Sequence, residues 1–261
     1  MITQEQIQAL AKRKNIDQDT ILREYVQALM LKELYNEKLS QRIYFKGGTA
    51  IHLLLGGTRY SMDLDFTAEI PTATLNELLA KIRQRLEIEL PGVRLKSSRK
   101  KINHSFSKIL TYLPQGRKIP LNIAIDISLR EKPRNEVKKT ILKTDFPISG
   151  LPVILHLDWA EILAEKIRAL LIRGKGRDFY DLYYLLYKGI KIDWNLVIAK
   201  MKIYPEFKNE LNLNTITGIV EKFKSDDLRK DLSQFLTKTE RQNLLPILKQ
   251  ELIKELTQSK L

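Results

Sequence analysis

The chain has 261 residues, 43% of them hydrophobic and 29% charged, with no cysteine and three histidines. This composition suits a full apolar core and excludes disulfides, thiolate zinc sites and cysteine nucleophiles; His52, His104 and His156 lie too far apart in sequence for local metal-ligand spacing. Forty-five Lys and Arg against 31 Asp and Glu leave a net +14, which favours an anionic partner such as a nucleotide or nucleic acid.

Residues 3–38 read as helices, with Ile7, Leu10 and Ala11 on one stripe and Leu22, Tyr25, Val26, Leu29 and Met30 on a longer one. No secretory pattern opens them. A short strand over 43–45 runs into Lys46-Gly47-Gly48, after which Thr49 is placed to cap a helix that ends at Gly56-Gly57. Gly47 and Gly48 let backbone approach a ligand closely, and the helix start offers unpaired N–H groups to an anion. Taken alone, the glycine pair reads more readily as a tight turn.

A strand over 61–66 follows. Strand alternation points Asp63 and Asp65 one way and Met62, Leu64 and Phe66 the other, so the apolar side packs on the core and two carboxylates stand together. Like charges that close need a cation between them, and Mg²⁺ (or Mn²⁺) suits oxygen donors. Phosphate at a helix start, with an Asp pair on the next strand, is the layout of a metal-dependent nucleotidyl-transfer site using an NTP. A solvated strand face is the competing reading of Asp-x-Asp.

Residues 71–90 form an amphipathic helix and 93–113 a basic hairpin. From Glu89 to Asp126 no acidic residue interrupts Arg94, Lys96, Arg99, Lys100, Lys101, Lys108, Arg117 and Lys118. Arg94, Lys96, Arg99, Lys100, Lys101 and Lys108 are the candidate nucleic-acid contacts. In a strand over 121–129, Asp126 stands opposite the apolar face as a third metal ligand, or as one arm of a structural ion pair.

Residues 131–152 are a proline-punctuated connection, and from 158 onward the pattern is helical. The reading is an α+β chain: a mixed-sheet domain over 1–150 with N-terminal helices, then an all-helical domain over 151–261. In the helical half, Lys166 lies inside the apolar stripe of Ile162, Leu163, Ile167 and Leu170, where a lysine snorkels outward or reaches an anion. Lys166 is expected to grip the NTP phosphates across an interdomain cleft. Asp178 would orient it or help activate the acceptor hydroxyl, although Asp178 and Asp181 also suit internal ion pairing. No apolar run approaches the roughly 20 residues that span a bilayer, so a cytoplasmic protein without a membrane partner is expected.

Lys46-Gly47-Gly48-Thr49-Ala50, Arg59-x-Ser61-x-Asp63-Leu64-Asp65, Glu161-x4-Lys166-x2-Ala169 and Arg177-Asp178-x2-Asp181-Leu182, in this order over roughly residues 40–190, resemble the AbiEii family of bacterial nucleotidyltransferase toxins, related to the MenT toxins and to the polymerase-β-like superfamily. The resemblance implies a nucleotidyltransferase-like fold, with Gly47, Gly48, Ser61 and Lys166 at the nucleotide; Thr49 at the helix start and Arg177 of the Arg-Asp pair are further nucleotide-binding candidates. It implies Asp63, Asp65, Lys166 and Asp178 in catalysis, and Asp63 and Asp65 at the metal, where the strand reading adds Asp126 as a third ligand that is less uniform in the family. It also implies NMP transfer to RNA, in particular the tRNA acceptor end, by a toxin restrained by a cognate antitoxin. One departure is the loop Arg173-Gly174-Lys175-Gly176-Arg177, where relatives often carry proline before Arg-Asp. NMP transfer to a protein hydroxyl, a catalytically inactive nucleic-acid-binding module and a kinase-like phosphotransferase remain as alternatives.

Overall fold

A computed structural model describes residues 1–98, 104–203 and 210–259. Thr3 caps α1 (Gln4–Lys14) and Asp17 caps α2 (Gln18–Tyr35), each accepting a backbone N–H of the first turn. A 3₁₀ turn leads into β1 (Ile43–Lys46), on whose end α3 (Gly47–Leu55) begins directly. Next come β2 (Leu64–Ala68), α4 (Thr72–Glu89), β3 (Arg94–Ser97), β4 (Ser105–Tyr112), β5 (Leu121–Ser128), β6 (Lys138–Ile141) and β7 (Val153–His156). The rest is helical: α5 (Trp159–Arg173), α6 (Gly176–Tyr187), α7 (Trp194–Met201), α8 (Leu213–Lys222), α9 (Ser225–Leu232), α10 (Lys238–Asn243) and α11 (Leu248–Gln258).

The strands form one mixed seven-stranded sheet in the order β3-β4-β5-β2-β1-β7-β6, so the fold is α+β. β2 runs parallel to β5 and antiparallel to β1, while β1 runs parallel to β7. Alternation sorts the side chains. Leu64, Phe66, Leu110, Ile123, Ile125 and Ile127 are buried on one face, in a single cluster with residues of α1, α2 and α4. Phe45 packs on Phe66 at 5.2 Å between ring centroids.

By internal packing the chain divides into two compact units, one of Met1–Gly56 with Tyr60–Leu157, the other of Gly57–Arg59 with Asp158–Leu261. The sheet and α1–α4 make up the first. In the second, α5 packs on α6 and α7, and α6 on α9 and α11. Leu163, Ile167, Phe179, Leu185, Val197 and Leu252 are buried in it.

Four local expectations are corrected. β6 falls inside the connection expected over 131–152, and β7 just after it, in the stretch expected to be all-helical, because each is only four residues long, too short for alternation to register. α3 starts at Gly47, with Lys46 in the cap position; Thr49 lies inside the helix, and its hydroxyl donates to the Asp63 carbonyl. Asp63 precedes β2, which begins at Leu64. Met62, expected on the core, is 39% exposed, since the chain there has not yet entered the strand.

Candidate active site

In the first unit, strand register builds a row of polar side chains on the face opposite the apolar core. Ser107 pairs with Asp126, Asp126 with Asp65, and Asp65 with Lys46, across β4, β5, β2 and β1. Positions paired across a sheet project to the same side, so the Asp65 and Asp126 carboxylates share a face, roughly 5 Å apart at the backbone. The Ser107 hydroxyl donates to Asp126 Oδ1. Asp63 comes just before, its carbonyl held by Thr49, while Gln27 Nε2 donates to the Ser61 carbonyl at 3.0 Å and fixes the same turn from α2.

Gly47 joins this row to α3. It has φ +79°, and a Cβ built on it would lie 2.3 Å from Asp65 Oδ2. The backbone that opens α3 therefore lies directly against an Asp65 carboxylate oxygen, and only glycine fits there. The first turn of α3, with Gly48 and Thr49, carries its N–H groups at the end of the carboxylate row. The donors here are all oxygens, which suits Mg²⁺ or Mn²⁺ in kind. Among the described residues, no three His, Asp or Glu are gathered closely enough to hold an ion as placed.

Arg23 of α2 stands beside this row. Its Nη1 donates to the Asn122 carbonyl at the start of β5. Burial lowers the guanidinium pKa, and Asp63 is the strongest of the carboxylates acting against that shift, ahead of Asp19 and Asp17.

The second unit holds the cationic residues. Lys166 is buried, with Nζ 2.7 Å from Asp181 Oδ2. Arg59 clamps the same carboxylate, Nε to Oδ1 at 2.8 Å and Nη2 to Oδ2 at 3.0 Å. Burial alone would raise the Asp181 pKa; Arg59 and then Lys166 outweigh it and hold the carboxyl below its ordinary value. Asp178, expected to orient Lys166, instead accepts from Arg173 at 2.8 and 2.6 Å and from the Lys175 backbone N–H, closing the corner between α5 and α6. One helical turn separates the two aspartates, and sequence reasoning chose the wrong one as the lysine's partner.

The remaining motif residues divide in the same way. Arg177 lies half-buried in the first turn of α6. The preceding Gly176 donates to Asp231 Oδ2 at 2.8 Å, and a Cβ there would come within 2.8 Å of Asp231. This loop is therefore packed against α9 without needing proline. Glu161 lies 2.7 Å from the fully buried Lys200 of α7, so its carboxylate joins two helices. Ser61 belongs to the first unit and Arg59 to the second, which splits the Arg59-x-Ser61-x-Asp63 motif between them.

The basic stretch also separates. Arg94 and Lys96 are exposed and pair with Thr111 and Ile109, on the face that carries Asp126. Lys108 pairs with Ser97, its Nζ 3.1 Å from Ser97 Oγ and over the Phe106 ring, on the opposite face. Arg99, Lys100 and Lys101 lie outside the described residues.

A sequence model described as "Nucleotidyl transferase AbiEii toxin, Type IV TA system" matches residues 29–251. The chain belongs to the AbiEii family. It is accordingly a nucleotidyltransferase, of a family of toxins from toxin–antitoxin systems. The AbiEii match takes in both units and continues to residue 251, well past the motif-bearing stretch that ends near 190. Among solved structures, the nucleotidyltransferase toxin MenT4 from Mycobacterium tuberculosis H37Rv is similar, with a TM-score of 0.71 and 18% identity over 100% of this chain and 90% of that one. JHP933 from Helicobacter pylori gives a TM-score of 0.52 and 20% identity over 94% of this chain and 96% of that one. At these identities the two share the AbiEii chain's fold. None of the curated proteins matches. No helix among the described residues is long and apolar enough to cross a membrane.

Proposed function

We propose that this AbiEii nucleotidyltransferase transfers NMP from an NTP to the 3′-hydroxyl of an RNA, with tRNA as the first acceptor to test, and that it acts as a toxin held in check by a cognate antitoxin. The observation that carries the reading is the row Ser107–Asp126–Asp65–Lys46 ending at Gly47, where a carboxylate and a helix start meet at contact distance. Asp63, Asp65 and Asp126 would hold Mg²⁺ or Mn²⁺. When bound, the ion supplies charge neutralisation to the triphosphate. Gly47, Gly48 and Thr49 present backbone N–H groups to the phosphates, and the turn that contains Ser61 is braced by Gln27. Lys166, ion-paired with Asp181, neutralises charge on the departing pyrophosphate; Arg177 supplies a further cation to the nucleotide.

In the reaction the acceptor oxygen bonds to the α-phosphorus, the bond to the β-phosphate oxygen breaks, and pyrophosphate and a proton leave. Positioning and electrostatics account for the catalysis. The test is incubation of purified protein with α-labelled NTPs, Mg²⁺ and bulk tRNA. Label enters tRNA with the wild type and falls at least about 100-fold with Asp63→Ala and with Lys166→Ala. Equal labelling by either variant rejects the assignment, and labelling of protein in place of tRNA moves the acceptor to a protein hydroxyl.

A further inference from the structure

The polar face of the sheet carries two rows beside the carboxylate row. Lys96, Ile109 and Ala124 make the nearer one, and Arg94, Thr111 and Asn122 the farther. Each row begins with an exposed cation on the edge strand β3 and ends on β5, the strand that bears Asp126. Arg23 closes the farther row from the other side, through its bond to the Asn122 carbonyl. Arg23, reaching from α2, thus meets at the Asn122 backbone the β5 end of the row whose β3 end is Arg94.

Sheet spacing fixes the scale. Two strands across at about 4.8 Å each, and two residues along at about 3.3 Å each, put Lys96 roughly 12 Å from Asp126; Arg94 lies roughly 16 Å away. These spans correspond to about four to five nucleotides at the duplex rise of 3.4 Å per residue, and fewer for an extended strand. Arg23 makes no ion pair among the described residues, although Asp63 is its strongest charged neighbour. A guanidinium held by a backbone carbonyl keeps donors for a phosphate. Ile109, Ala124, Thr111 and Asn122 lie between the cations and none is aromatic, so among the described residues these rows offer phosphate contacts and no stacking.

We propose that Arg23, with Arg94 and Lys96, forms a track for the phosphodiester backbone of the acceptor, which crosses β5–β4–β3 on the polar face and delivers its 3′ end to the Asp65–Asp126 row. The proposal rests on the RNA-acceptor reading above and adds to it a specific contact. Arg23 lies before residue 29, where the AbiEii match begins.

The test measures binding of end-labelled bulk tRNA to the full chain, without NTP, across a salt series. Arg23→Gln weakens binding about tenfold and lowers the slope of log K against log salt by about one; the Arg94→Glu/Lys96→Glu pair lowers it by about two. Arg23→Lys recovers the slope, and the NTP affinity of every variant equals that of the wild type. The track is overturned if the wild type binds no tRNA, if Arg23→Gln leaves both affinity and slope unchanged, or if its defect lies in NTP affinity. Melting temperatures separate a folding defect from a lost contact: a slope restored by Arg23→Lys at equal melting temperature is the expected result, and a slope that follows melting temperature across the variants rejects the track. Salt-dependent binding with no label transfer sinks the transfer reading and leaves the track standing. Label transfer to tRNA that Arg23→Gln does not impair sinks the track alone.

Discussion

Two residues of the candidate site can be told apart by substitution. Gly47 is fixed twice over, by its positive φ and by the Asp65 oxygen where a Cβ would lie. Gly47→Ala therefore costs about 1–3 kcal/mol of stability and displaces Asp65, measured as a fall in melting temperature together with lost transfer activity. Asp181 is a different case. Its carboxyl is held below the ordinary value in the fold, so its stabilisation is complete above the unfolded pKa and disappears as pH falls through the folded one. Between about pH 5 and pH 2 the wild type loses stability more steeply than Asp181→Asn, a difference readable by thermal melts across that range. Above that window Asp181→Asn is the less stable of the two, since Arg59 and Lys166 then share no countercharge there. Residue type and spacing single out the Asp63/Asp65 pair and Lys166 as candidates. The identity of the lysine's partner was not legible there, because Asp178 and Asp181 sit within one turn of α6 and only the packing of α5 against it decides which carboxylate reaches Lys166.

Elements with strong periodicity were readable within a residue or two: α4, expected over 71–90, spans Thr72–Glu89, and β5, expected over 121–129, spans Leu121–Ser128. The short strands β6 and β7 carried too few residues to show a period, and the start of α3 moved because Gly47 can take a backbone conformation that other residues avoid. Helix α5 shows how one element serves two ends. Lys166 meets Asp181 of α6, while Glu161 and Glu165 meet Lys200 of α7 at 2.7 and 3.1 Å. Lys200 is fully buried, so Lys200→Ala strands buried carboxylates and destabilises by about 3–5 kcal/mol. The paired change Glu161→Met/Lys200→Met recovers most of that loss, because burying matched apolar groups removes the desolvation that the ion pair must offset. Chemical denaturation of the three chains checks both figures.

At the scale of the whole molecule, the α+β class and the helical character of the second half followed from patterning, while the excursion of Gly57–Arg59 into the second unit had no sequence signal. It is set by where Asp181 lies once α6 has folded, a long-range contact that local pattern does not encode. The net charge of +14 is likewise visible in composition, but its arrangement is a property of the sheet order. That order has one more consequence. β3 is the terminal strand of the sheet, and a terminal strand leaves backbone groups open to any stray chain that can pair with them. Arg94 and Lys96 occupy half of its four positions, so the residues placed to attract a polynucleotide also repel a second copy of the same strand. Neutral replacements there would invite self-association, which is why glutamate, carrying charge of the opposite sign, is the substitution that removes the attraction while keeping the border guarded.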